Sequence, residues 1–193
     1  MRITGGKARG IIIQSPKTNA TRPATDYLRE ALYSSMGAAC PAGSVVDLYA
    51  GSGAYGLEAL SRGARRVVFV ENDPRALKCL SANIIKVCKS LKINHPESYT
   101  HIIKKDVCQW LEQCTDPYDI IIADPPYAVL PIQSPKILSL ALKILNVHQK
   151  GIFVLEAPGE FQIVDLPNGF KIKKRILRGT KQPSIFIIEP IAS

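Results

Sequence analysis

The residues best suited to chemistry are Asp124-Pro125-Pro126-Tyr127, which follow the apolar run Ile120-Ile121-Ile122-Ala123 without a break. Two consecutive prolines stop a strand, stiffen the chain and hold the preceding residue extended. A turn needs one proline at most, and a rigid turn accounts for neither the Asp nor the Tyr. An exocyclic amine on adenine, cytosine or guanine accounts for all four residues. Its nitrogen is a poor nucleophile because the lone pair is delocalised into the ring. Two acceptors aimed at its hydrogens, the Asp124 side chain and the Pro125 carbonyl, would draw the nitrogen towards tetrahedral geometry. The lone pair is then free for in-line attack on a sulfonium methyl. Proline rigidity becomes preorganisation, since acceptors that need not reorient cost less at the transition state. Tyr127 can stack on a base taken out of its helix and hold it at attack distance.

Ligands of an open α/β sheet sit beyond the carboxyl ends of its strands, so the other strand ends bear on the same site. The first expected strand runs into Asp47-Leu48-Tyr49-Ala50-Gly51-Ser52-Gly53-Ala54-Tyr55-Gly56. Gly51, Gly53 and Gly56 satisfy G-x-G-x-x-G, a turn that lets backbone approach a ligand at the start of a helix. Glu71 ends the second strand about twenty residues later, where an acid can accept hydrogen bonds from ribose hydroxyls. Asp106 ends the third, placed to accept from an adenine amino group and equally able to cap the helix that follows. These features favour an adenosine-containing ligand and leave NAD and S-adenosylmethionine open. The tetrapeptide after the fourth strand selects S-adenosylmethionine.

The elements that must position these residues alternate regularly. Helical spacing of Leu28, Ala31, Leu32 and Ser35 predicts a helix over Thr25–Met36, stopped near Gly37. Strands are expected at Val45–Tyr49, Val67–Val70, Tyr99–Ile103, Ile120–Ala123 and Ile152–Leu155. Between them the pattern predicts helices at Leu57–Arg62, Pro74–Ser90, Val107–Leu111 and Pro135–Leu145, with Pro74 in a first turn. The fourth strand is apolar without alternation, as expected when both sheet faces are covered. Phe170–Leu177 and Ile185–Glu189 lack a helix between them and predict an antiparallel closing edge. The class is α/β with a mostly parallel sheet. Residues 1–24 read as a basic arm or hairpin on a single domain, too thin to hold a core alone.

The chain has 193 residues, enough for one domain, with 46% hydrophobic and 21% charged residues. No apolar run approaches the ~18 residues of a membrane span, nothing resembles a cleaved leader, and a cytoplasmic location is expected. Five cysteines without a C-x-x-C pair argue against a disulfide framework, and the histidine spacings against a metal site. The net charge of +9 attracts phosphate backbones and membrane surfaces alike. Its distribution is uneven: Arg2, Lys7, Arg9, Lys17, Arg22 and Arg29 near the start, and Lys171, Lys173, Lys174, Arg175, Arg178 and Lys181 near the end.

The tetrapeptide, glycine turn and acid together resemble the amino-methyltransferases of nucleic acids. More narrowly, Thr21-Arg22-Pro23-Ala24-Thr25-Asp26 with Arg29-Glu30-Ala31-Leu32, and Asp47 through Glu58-Ala59-Leu60-Ser61-Arg62-Gly63, are similar to the bacterial RsmD family. The resemblance spans nearly the whole chain, including the Met-Arg-Ile-Thr-Gly-Gly start. It implies a Rossmann-like, seven-stranded class I methyltransferase sheet with a small N-terminal β extension, and methylation of guanine N2 in 16S ribosomal RNA. Carried over by position, Asp47, Gly51, Ser52, Gly53, Glu71, Asn72, Asp106 and Val107 would bind S-adenosylmethionine, and Asp124 to Tyr127 the target base. Lys7, Arg9, Arg22 and Arg29 are the expected contacts to RNA, or to a small-subunit assembly intermediate, by a monomer. The chain departs from the family pattern at Gly179-Thr180-Lys181-Gln182-Pro183 and at Tyr49. An adenine-N6 methyltransferase could use the same tetrapeptide. A NAD-dependent oxidoreductase would leave the tetrapeptide idle, and a non-catalytic RNA-binding domain would waste both motifs.

Overall fold

The computed structural model describes residues 1–16, 25–36, 43–177, 179 and 181–191. Seven strands form one sheet in the order β3-β2-β1-β4-β5-β7-β6. They are β1 (Ser44–Leu48), β2 (Arg66–Glu71), β3 (Thr100–Lys104), β4 (Ile120–Ala123), β5 (Ile152–Pro158), β6 (Phe170–Leu177) and β7 (Pro183–Pro190). The pairs among β1 to β5 are parallel, while β7 is antiparallel to both β5 and β6. The parallel sheet and the antiparallel edge are both as expected.

The helices are α1 (Thr25–Met36), α2 (Ala54–Ser61), α3 (Pro74–Ser90), α4 (Val107–Gln113) and α5 (Leu130–Lys143). Alternation along β1 splits the core in two. Val45 joins α1, α2 and α3 on one face, and Val46 joins α4 and α5 on the other. The central strands are buried on both faces, which is why β4 reads as an unbroken apolar run. One boundary differs markedly: α5 starts at Leu130, not Pro135. Pro131 takes the first-turn place, where a missing N–H costs nothing, and the helix absorbs Pro135 in its interior. Among the described residues no helix is long and apolar enough to cross a membrane.

Residues 1–13 form a hairpin with a single antiparallel bridge, between Arg2 and Ile12, rather than extended strands. It has no core of its own. Ile3, Ala8 and Ile13 enter the α1–α3 side of the main core. A buried polar network clamps it to α2. The Glu58 carboxylate accepts from Thr4 N and Thr4 Oγ1, both at 2.8 Å, and pairs with Arg62 at 2.9 Å. Further along, Lys7 N donates to Ser61 O and Ala8 N to Ser61 Oγ. Gly6 has φ 74°, and a Cβ there would collide with the Ser61 backbone, so the close approach of hairpin to helix requires glycine.

Candidate active site

The strand order reverses between β1 and β4: the chain leaves β1 towards β2 and β3, then returns to build β4 and β5 on its other side. Such a switch point opens a crevice at the carboxyl ends of the two strands. The glycine turn follows β1 and Asp124 follows β4, so the two strongest sequence motifs meet at this crevice. The Asp124 N–H reaches back to Leu48 O at 3.4 Å. Asp124 and Tyr127 are half-buried, Pro125 is buried and Pro126 exposed. A turn closed by Val129 N donating to Pro126 O at 3.0 Å leads directly into α5.

The three glycines have separate reasons. Gly51 (φ 55°) and Gly53 (φ 79°) both take the left-handed conformation that other residues resist. A Cβ on Gly51 would meet nothing closer than Tyr49 O at 3.8 Å, so the turn is open on that side, as a cradle for a ligand must be. A Cβ on Gly53 would run into Leu80, and one on Gly56 into Phe69 and Val67, so these two glycines serve packing. Tyr49 also has a positive φ of 59°, uncommon for a bulky residue, immediately before the turn. Its hydroxyl donates to Gln133 Oε1 of α5 at 3.1 Å, tying turn to helix.

Asp47 lies beneath the turn at 2% exposure, and its Oδ2 accepts from Gly56 N at 2.8 Å. It therefore shapes the backbone from below. Burial pushes its pKa up to about 8, with the Glu71 charge adding to the rise, against the Gly56 hydrogen bond and the Arg29 charge. The sign of the linkage follows: between the ordinary carboxylate range and about pH 8 the folded chain holds a proton that the unfolded chain has lost. This contribution to stability is therefore lost as pH rises through that window. The expected result is that wild type loses urea stability relative to Asp47→Asn between about pH 5 and about pH 8. Parallel pH profiles would contradict the assignment.

Glu71 is half-buried at the end of β2, and its carboxylate accepts from Gly51 N (2.8 Å), Asn72 N (2.7 Å) and Asp73 N (2.8 Å). A carboxylate has about four acceptor sites, so these bonds orient it and leave room for about one hydroxyl. Asp106 caps α4, accepting from Gln109 N at 3.0 Å, and Val107 behind it is buried. Asn72 is exposed and Ser52 buried. The open glycine turn, the oriented acid and the capping Asp106 on successive strand ends fit an adenosyl ligand.

Sequence reasoning missed what locks the glycine turn to the N-terminal hairpin. Buried Asn83 of α3 donates to Ser52 O and Gln14 O and accepts from Gln14 N, and Met1 Sδ lies 3.7 Å from Ser52 Oγ. An Asn amid apolar helix positions was the available signal.

The expected RNA contacts separate. Lys7 and Arg9 are exposed on the hairpin, where Lys7 N donates to Ser61 O at the end of α2 opposite the glycine turn. Arg22 lies outside the described residues. Arg29 is a correction: its side chain is 0% exposed, donates to Asp26 Oδ1 at 2.7 Å and Arg2 O at 2.6 Å, and lies 3.8 Å from Glu58. It neutralises a buried acid and presents nothing to a phosphate. The C-terminal cluster is also partly structural. Arg175 donates to Gly159 O and Phe161 O and lies over the Phe186 ring, while Lys171 and Lys173 pair with Glu189.

Fold and site together define a Rossmann-like S-adenosylmethionine-dependent methyltransferase. The solved structure of the Escherichia coli protein yhhF has a TM-score of 0.79 to this chain at 26% identity, covering 100% of this chain and 99% of that one. A structure complexed with S-adenosylhomocysteine shares the fold at a TM-score of 0.69 and 16% identity, over 88% of this chain and 50% of that one. The family described as Conserved hypothetical protein 95 matches residues 1–187, and the chain belongs to it, the RsmD family. A similar relative is Ribosomal RNA small subunit methyltransferase D of Escherichia coli, 33% identical over 127 residues, which are 66% of this chain and 60% of that protein.

Proposed function

We propose that the chain transfers a methyl group from S-adenosylmethionine to the exocyclic N2 of a guanine in 16S ribosomal RNA, free or in a small-subunit assembly intermediate. It acts as a monomer in the cytoplasm. The observation that carries the reading is the rigid Asp124-Pro125-Pro126-Tyr127 segment at the switch point beside the glycine turn. The choice of guanine in ribosomal RNA is supported by family membership and by the name of the Escherichia coli relative.

Bound S-adenosylmethionine supplies an electrophilic methyl on a sulfonium. Asp47 and the glycines shape the turn that would receive it, where Glu71 would meet the ribose and Asp106 the adenine, with Ser52, Asn72 and Val107 around them. Asp124 and the Pro125 carbonyl accept the two hydrogens of the target amine, and Tyr127 stacks on its base. Held by these two acceptors, the nitrogen would have its lone pair aimed at the methyl that the cofactor would supply, with sulfur keeping the S–C bond pair. The nitrogen, now cationic, gives up a proton towards Asp124 or water.

Lys7 and Arg9 meet the RNA backbone, and folded RNA is read by such shape and phosphate contacts. Reversing both charges, Lys7→Glu with Arg9→Glu, should weaken RNA binding and flatten its log–log salt dependence by about 1–2, since each contact contributes ~0.7–0.9. An unchanged slope would show that the hairpin is not the docking surface. The modification itself is tested by comparing nucleosides of small-subunit RNA from cells with and without the gene. Loss of N2-methylguanosine at one position is expected. An unchanged profile, or loss of N6-methyladenosine instead, would contradict the reading.

A further inference from the structure

β3 is an edge strand of the sheet, and the face it shares with β2 is only partly covered. Val68 and Ile103 belong to the core under α4 and α5. Side chains alternate between faces along a strand, so Arg66 and His101, two positions earlier, share that face. Their cover ends early. α4 has seven residues, about 10 Å of helix, against about 17 Å for the five residues of β3. The chain then turns away through Cys114, Thr115 and Asp116 towards β4. A cavity of about 320 Å³ remains, with Arg66 and His101 on its floor and Trp110, Gln113, Cys114 and Tyr118 along its wall. That volume falls at the lower end of the ~300–1,000 Å³ of small-ligand sites. None of the roles above uses it.

The groove is aromatic and cationic. Half-buried Trp110 meets the Tyr118 ring in a tilted contact, with centroids 6.1 Å and planes 58° apart. The acid facing Arg66 is Asp116, whose Oδ2 lies 3.9 Å away, and the two side chains are 47% and 63% exposed. An exposed pair at that distance is worth little, so the guanidinium is available to a second anion. Lys105 Nζ donates to Gln113 Oε1 at 2.5 Å on the rim, and the neighbouring Glu112 is paired with Lys136. The groove also continues the basic surface of the hairpin. Arg65 and Arg66, both exposed, follow four and five residues after Ser61, whose carbonyl takes the Lys7 N–H.

We propose that this groove is a second nucleotide site, where one base of a single-stranded RNA segment lies against Trp110 while Arg66 and His101 meet its phosphates. Every base has a π face, so an aromatic platform beside cations holds single strands with little regard to sequence. The groove opens towards the amino ends of β2 and β3, whereas the crevice lies at the carboxyl ends of β1 and β4. It therefore takes a nucleotide other than the target. The inference rests on the reading of RNA as the substrate polymer, but not on which atom is methylated.

Trp110 is the one tryptophan of the chain, so occupancy of the groove reads directly in its fluorescence. The full chain, saturated with S-adenosylhomocysteine, is titrated with a short single-stranded RNA of mixed sequence. Saturable quenching is expected, with Trp110 shielded from acrylamide in the complex. Arg66→Ala, at an exposed position, should weaken the binding by about five-fold and flatten its log–log salt dependence by about 0.7, one phosphate contact on a single strand. Asp124→Asn should leave the titration unchanged. Polyphosphate carries the charge without a base and should not quench. Quenching that is absent, or unaltered in Arg66→Ala, overturns the inference, as does equal quenching by polyphosphate. Equal quenching by poly-glutamate overturns it in favour of an acidic protein partner. Quenching lost in Asp124→Asn would put the bound nucleotide in the crevice and overturn it as well. The reading of the active site fails separately: a chain that shows the quenching but puts no methyl on guanine keeps this site and loses the assigned reaction.

Discussion

Asp124→Ala is expected to abolish measurable methyl transfer while leaving S-adenosylmethionine affinity within a few-fold of wild type. The carboxylate follows β4, and the cofactor cradle follows β1 and β2. Removing it leaves the glycine turn and the Glu71 hydrogen bonds intact. What disappears is an acceptor whose interaction strengthens as the amine becomes tetrahedral and cationic. An interaction made mainly in the transition state appears in kcat and not in binding. Loss of one preorganised electrostatic group costs about 10²–10³ in rate elsewhere, and loss of a charged acceptor belongs at the upper end of that range or beyond it. The measurement is single-turnover methyl transfer together with calorimetric cofactor affinity. Retained turnover would show that the chemistry lies elsewhere in the crevice.

Glu58→Ala should be among the most destabilising single substitutions in the chain. Its carboxylate is 0% exposed, accepts from Thr4 N and Thr4 Oγ1, pairs with Arg62 at 2.9 Å and lies 3.8 Å from the equally buried Arg29. Alanine would leave a buried guanidinium with less compensation and two Thr4 donors without their acceptor. Removing one partner of a buried ion pair costs about 3–5 kcal/mol. At roughly 2–4 °C per kcal/mol for a chain of this size, the melting temperature should fall by on the order of 10 °C. The loss should begin at the hairpin, seen as faster amide exchange at Ile3 and Gly10, whose N–H groups bond across it. A fall below about 1 kcal/mol would show that apolar packing of Ile3 and Ile13, and not the polar network, holds the arm.

Local chemistry was legible from the sequence, and long-range pairing was not. The β4 run and its double proline, the first-turn proline of α3, and the α1 periodicity are each decided within a few residues, and the structure keeps them. The mostly parallel sheet follows from alternation of strand and helix, whereas the strand order does not. Arg29 shows the limit. A cation among cations reads as surface, and its burial is made tolerable by Asp26 in the same helix together with Arg2 O and Glu58, both distant in sequence. The Tyr55–Glu156 bond joins residues 101 positions apart, and neither partner lies in a motif that announces it. The C-terminal basic run misleads for the same reason, since Glu189 and the carbonyls after β5 absorb much of its charge. The start of α5 was misplaced because Pro131 and Pro135 both suit a first turn, and packing chose between them.

The most direct test of the central claim is to incubate the purified chain with methyl-labelled S-adenosylmethionine and unmethylated small-subunit RNA, as free RNA and as assembled particles. The RNA is then digested and the labelled nucleoside identified by mass. The predicted result is one labelled methyl group per RNA in N2-methylguanosine, present with wild type and absent with Asp124→Ala. Label in N6-methyladenosine, or no label in either form of the RNA, would contradict it.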